Sequence, residues 1–170
     1  MLMIWNKYHI SILIMLLVQS LHAQHMELGL QSRTTLAHSS GAEMAMNGWD
    51  LSLSYSHHLD QDIFIRGGME WGYAGWGGQM LFVSALAYGQ KNQAELEILN
   101  GMALYRQKNS YIFAAGVRFR HLFFHPGRNK LILSAGFRYS IQPAYKDYSG
   151  IYSYLDFPIR ISWARMLHRD

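Results

Sequence analysis

A chain of 170 residues supplies material for one domain, and 50% hydrophobic content at a mean hydropathy of −0.06 requires apolar residues to be finely interleaved with polar ones. Cysteine is absent, which excludes a disulfide framework, a thiolate metal site and a lipoprotein anchor cysteine. The net charge of +4 is spread without any basic run, so the chain carries no nucleic-acid footprint.

Lys7 precedes the apolar run Ile10 to Val18, and "QSLHAQ" then places a small residue, Ala23, before Gln24. A charged start, a short apolar stretch and a cleavage site predict a secretory signal peptide over residues 1–23, leaving a mature domain over 24–170, with Leu21 a departure from the usual small residue at −3. The competing reading is an uncleaved anchor, but the run is shorter than the roughly 18 apolar residues that a spanning helix needs.

From there the chain alternates strand and turn without a helical period, a linker or a second composition. Eight segments are predicted, near 25–36, 44–58, 61–73, 78–89, 94–106, 110–122, 129–141 and 151–165. They are separated by "HSSGAE", "LDQ", "YAGWGG", "GQKNQ", "RQKNS", "FHPGRN" and "QPAYKDYSG", which hold the Gly, Asn, Asp, Ser and Pro of turns. Short connections imply antiparallel neighbours. In the fifth segment "AELEIL" has an alternative reading as a helical turn.

Parity within the segments is the most informative signal. In the second, Trp49, Leu51, Leu53 and Tyr55 oppose Asp50, Ser52, Ser54 and Ser56; in the third, Ile63, Ile65, Met69, Trp71 and Tyr73 oppose Phe64, Arg66, Gly68, Glu70 and Gly72. The sixth sets Phe113, Ala115, Val117 and Phe119 against Ala114, Gly116, Arg118 and Arg120. The seventh sets Leu131, Leu133, Ala135, Phe137 and Tyr139 against Ser134, Gly136, Arg138 and Ser140. The eighth sets Leu155, Phe157, Ile159, Ile161 and Trp163 against Asp156, Arg160, Ser162 and Ala164. One face is large and apolar; the other is small, polar or charged.

A soluble β-sandwich would show water a polar face rich in Lys, Thr, Glu and Asn. Here the polar face carries Gly, Ala, Ser and Arg with almost no Lys, which suits a confined interior where guanidinium forks to carboxylate. The aromatics Trp49, Tyr55, Trp71, Tyr73, Tyr111, Tyr139 and Trp163 fall near segment ends, as interfacial girdles do. The fold predicted is all-β: an eight-stranded antiparallel up-and-down transmembrane β-barrel.

The inner parity then collects Arg33, Arg66, Arg118, Arg120, Arg138 and Arg160 against Glu27, Asp50, Glu70, Glu95, Glu97 and Asp156. These balanced charges are expected to form an ion-pair network that fills the lumen, because an unpaired buried charge is costly. A charge-lined ion path is the alternative; the narrow interior of eight strands favours the plug.

The signal ending in Ala-Gln, the "YSHHLDQDIFIRGGMEWGY" and "VRFRHLF…NKLILSAGFRY" hairpins and the "YSYLDFPIRISWAR" strand resemble the small eight-stranded outer-membrane barrels of Gram-negative bacteria, of the OmpA and OmpX kind. Within these the chain is most similar to the outer-membrane β-barrel domain proteins of Bacteroidota. The resemblance implies a cell outer-membrane location, with lipid and lipopolysaccharide as surroundings and the barrel assembly machinery as a partner during insertion. It also implies a structural or surface-interaction role, a narrow solute channel being the alternative. One departure is the end "WARMLHRD", where Trp163 is the last aromatic and such barrels commonly finish on one.

Catalytic, cofactor and metal readings find little. His57, His58, Asp60 and Asp62 cluster at one hairpin, but without a nucleophile elbow they read as a solvated turn. His121 and His125 have no acid at ligand spacing, and Pro158, with lumen parity mid-strand, reads as a bulge or edge irregularity. "EWGYAGWGG" reads as girdle and loop tip in preference to a carbohydrate platform. No enzyme activity and no cofactor are expected.

Overall fold

Residues that alternate in polarity every second position can bury one face without a second layer when the sheet curls onto itself. That is the arrangement in the computed structural model, which describes residues 24–39, 42–74, 77–104, 109–124, 127–142 and 152–167. Strands β1 (His25–Ser39), β2 (Ala42–His58), β3 (Ile63–Ala74), β4 (Gly77–Tyr88), β5 (Asn92–Leu104), β6 (Asn109–Phe124), β7 (Asn129–Gln142) and β8 (Tyr152–Met166) form a closed antiparallel barrel in chain order. Each expected segment agrees with its strand to within three residues at either end. "AELEIL" is extended: Glu95 and Glu97 turn inward while Leu96 and Ile98 are exposed outside, a period of two and not of a helix. Because β1 pairs with β8, no sheet edge remains open.

The ladder registers fix the barrel's size. Following paired residues from Met26 through Tyr55, Gly67, Ser84, Ile98, Ala115, Tyr139 and Leu155 returns to β1 at Leu36, a stagger of ten residues. Eight strands with this stagger, at ordinary strand rise and spacing, give a tilt of about 40° and a backbone radius of about 8 Å. Side chains alone can fill such an interior.

The outer surface is apolar. Leu30, Leu96, Phe119, Ile159 and Ile161 are among its most exposed side chains. Trp49, Trp71, Tyr73, Tyr111 and Tyr139 lie toward one end, and Tyr55, Tyr88, Phe123 and Trp163 toward the other. Among the described side chains, the outward positions of the strands hold no carboxylate, and their one Lys or Arg is Arg165, at the end of β8. An apolar belt between aromatic girdles around a polar interior is the distribution of a transmembrane barrel, the reverse of a soluble one.

Two features depart from simple alternation. On β4 both faces are apolar, and its inward Leu81 and Val83 join Leu99, Ala103, Ile112 and Ala114 of β5 and β6 in a hydrophobic cluster inside the barrel. Pro158 is buried, and the β7–β8 ladder is interrupted between Ala135/Ile159 and Arg138/Asp156, with the same register resuming on the far side. A proline nitrogen has no hydrogen to donate, so pairing lapses there without a bulge, and a closed barrel has no edge to host it. The one register shift lies at Leu122/Phe124, in the β6–β7 ladder. The turns at the end holding both described termini use positive φ at Gly89 (113°) and Gly127 (60°), where a side chain would be strained.

Ile98 is the middle residue of β5 and faces outward. Replacing it by arginine should cost about 2–4 kcal/mol if lipid surrounds it. Ile98→Leu should cost under about 1.5 kcal/mol. Denaturant unfolding of the protein in lipid vesicles measures both.

Candidate functional site

Each lumenal charge stands on a strand whose alternation turns it inward. All twelve expected residues are buried there, none more than 6% exposed. Three groups are built from them. At the end that carries His25, Arg120 pairs with Glu27 across the barrel, from β6 to β1, and with Glu95 at 3.3 Å. Arg66 forks onto Glu95, Nε at 2.9 Å and Nη2 at 2.5 Å. That is the bidentate geometry in which guanidinium binds carboxylate most firmly.

The middle group centres on Glu70. Arg138 reaches it from β7 with Nη1 at 2.8 Å and Nη2 at 2.9 Å, and gives its Nε to Glu97 at 2.5 Å. Arg160 donates to Glu70 from β8, and Arg118 lies 3.6 Å from it and 3.1 Å from Glu97. Arg118 and Glu97 stand on adjacent strands, but other contacts cross the lumen: Arg138 sits opposite Asp156 in the β7–β8 ladder yet bonds to Glu70 on β3. Toward the other end Arg33 lies between Asp50 at 3.5 Å and Asp156 at 3.9 Å.

Neutral residues join the groups, and the sequence reading had left them out. Gln31 accepts from Arg160 Nη2 at 2.9 Å and from Arg118 at 3.3 Å, and donates to Asp50 at 2.9 Å. Gln79 donates to the other oxygen of Asp50 at 3.0 Å. Thr35 and Ser140 donate to Asp156. The signal available was the inward parity of Gln31 and Thr35, flanking Arg33 on β1. With them, the ionic groups form one connected network from Glu27 to Asp156.

Space for these long side chains comes from small neighbours. Gly116 stands opposite Arg138, and a Cβ there would lie 2.8 Å from Arg138 Cγ. A Cβ at Gly29 would lie 2.7 Å from the hydroxyls of both Ser52 and Ser162. Glycine at these positions is a packing requirement of the network.

Other sequence candidates sit elsewhere. Asp60 accepts its own turn's Gln61 N–H at 2.7 Å, as a turn residue does. His58, by contrast, is not simply part of a solvated turn: its inward parity at the end of β2 sets its ring 5.4 Å from His25 and 5.5 Å from Phe64. His121 is exposed and bonded to Asn92 at 2.6 Å, while His125 lies outside the described residues. Trp71 and Tyr73 of the aromatic-glycine piece face outward; Gly75 and Trp76 lie outside the described residues. Among the described residues no group of three His, Asp or Glu side chains is placed to hold a metal.

No family model matches the chain, and no curated protein matches it in sequence. Solved structures do resemble it. Neisserial surface protein A aligns with a TM-score of 0.52 at 11% identity, over 84% of this chain and 97% of that one. The attachment invasion locus protein Ail of Yersinia pestis aligns at 0.40 and 13% identity, over 82% and 97%, and the NanC porin at 0.37 and 10%, over 84% and 99%. The first likeness supports the barrel fold; the other two are too distant to carry an argument.

Removing Glu70 orphans the charges of Arg138, Arg160 and Arg118 together. Glu70→Ala should therefore destabilise the folded barrel by about 3–5 kcal/mol. Adding Arg160→Ala should recover part of that loss, with a coupling energy of about 0.5–3 kcal/mol. Denaturant titration of the two single variants and the double variant in vesicles reads the coupling.

Proposed function

We propose that this chain is a monomeric outer-membrane β-barrel of a Gram-negative envelope, secreted through a signal peptide cleaved after Ala23, with a structural or surface-interaction role. The observation that carries the reading is the closed interior: an apolar belt faces outward while twelve ionic side chains, none more than 6% exposed, fill the lumen. A chain of this kind keeps every strand paired in lipid and leaves no water-filled path of the width a solute needs. Glu70, Arg118, Arg138 and Arg160 occupy the level at which a channel would have to pass. Neisserial surface protein A, the structure whose likeness supports the fold, is by name a surface protein.

Orientation follows from the strand count. Eight strands put both termini on one side, as the pairing of His25 with Met166 requires, and secretion through the inner membrane makes that side periplasmic. The β7 and β8 ends at Gln142 and Tyr152 then face outside. A catalytic role lacks a nucleophile with its base or a metal cluster among the described residues.

Three measurements test the proposal together. The mature protein should begin at Gln24 by mass spectrometry, and migrate faster on gels unheated than boiled. An epitope at Lys146 should be labelled on intact cells and one at Gly127 should not. In planar bilayers the protein should give no stable conductance steps; a sizeable, lasting conductance would promote the channel reading.

A further inference from the structure

The barrel end that holds both termini opens into a cavity of about 490 Å³, whose wall includes His25, His58, Lys91, Gln93, Arg120 and Lys130. Its inner limit is the Arg120–Glu27 pair, beyond which Arg66 is locked to Glu95. Among the described residues Glu27 is the one carboxylate in the lining, and Arg120 already engages it. What remains is a surplus of positive charge, Lys91 and Lys130, in a concave site whose walls focus the field.

Hydrogen-bond accounting points the same way. Lys130 Nζ lies 3.4 Å from His25 Nε2, and an ammonium group only donates. Nε2 therefore accepts, and the imidazole carries its hydrogen on Nδ1. That Nδ1 is buried with no partner, on a residue 8% exposed. The His58 ring packs edge-on against the imidazole at a centroid distance of 5.4 Å, and Phe64 is tilted against His58 at 5.5 Å. The mouth thus carries more cationic groups than carboxylates and, within its wall, a ring donor that lacks an acceptor, a combination that suits an anion.

We propose that this vestibule is a blind-ended binding site for a small soluble oxyanion, phosphate or carboxylate, drawn in by Lys91 and Lys130 and held beside the His25 ring. The cavity has room for an organic acid of a few carbons or a phosphate ester. The site stands on the geometry of the mouth and does not depend on whether the lumen conducts.

Inorganic phosphate and succinate, each titrated into the folded protein in detergent micelles at constant ionic strength set with chloride, test it by calorimetry and by the His25 imidazole nitrogen resonances. Saturable binding of at least one anion that moves the His25 Nδ1 signal is expected. Lys130→Gln should weaken it at least tenfold and His25→Phe at least fivefold, while Asn47→Asp, which lowers the charge equally at an exposed outward position of β2, leaves it unchanged. Folding of each variant is checked by its heat-dependent gel shift; should Lys130→Gln misfold, Lys91→Gln must lower the affinity at least threefold. A response that follows ionic strength alone, no shift at His25, or undiminished affinity in the folded lysine variants overturns the proposal.

Discussion

Charge matching inside a ring of about 8 Å radius is the constraint on which this molecule depends. Among the described residues six guanidinium groups and six carboxylates share the lumen, and removing either member of a pair leaves a buried charge without compensation. The solution is a network and not a set of isolated bridges. Glu70 serves Arg138, Arg160 and Arg118, while Gln31 passes hydrogen bonds from Arg160 and Arg118 to Asp50. Because the links run from β6 to β1, from β7 to β3 and from β8 to β3, they tie opposite walls together across the barrel as well as along the sheet.

Other features of the structure follow from that filling. Crossing side chains as long as arginine need small residues where they pass, which is why Gly116 stands opposite Arg138 and Gly136 opposite Arg118. Charges turned inward leave the outer belt free to be apolar, so the same alternation that builds the network also makes the surface compatible with lipid. On the β4–β6 wall, Leu81, Val83, Leu99 and Ile112 take the place of charges, so that the network leans on an apolar support at that side.

Much of this was readable from parity. On β2, β3, β6, β7 and β8 the alternation is clean enough that inward and outward sets could be written down, and eight of the twelve ionic residues followed by elimination of the lipid face; Glu27 and Arg33 on β1 and Glu95 and Glu97 on β5 followed from the parity of their own segments. What was not readable has physical causes. On β4 hydrophobic residues occupy both faces, so period-two alternation carries no inside-outside information there. The partners of Glu70, Arg118, Arg138 and Arg160, are 48, 68 and 90 residues away in sequence and on strands that are not its ladder neighbours, so neither spacing nor register predicts them. Gln31, Gln79 and Thr35 escaped because counting charges passes over neutral donors and acceptors. His58 escaped although the second predicted segment ends on it, because grouping it with His57, Asp60 and Asp62 as one turn passed over the inward parity it shares with Ser54 and Ser56.

The central claim is that the lumen is closed at the level of Glu70. The chain has no cysteine, so a single introduced thiol reports on its own surroundings. Ser52→Cys places one on the inner wall, where the native hydroxyl is buried against the Gly29 carbonyl, and Gln61→Cys places one at the exposed rim. The decisive measurement is the rate at which a membrane-impermeant, charged methanethiosulfonate labels each thiol in folded protein in vesicles. The account predicts fast labelling at residue 61 and at least a hundredfold slower labelling at residue 52. Comparable rates at the two positions would mean that water and ions reach the centre of the barrel, contradicting it.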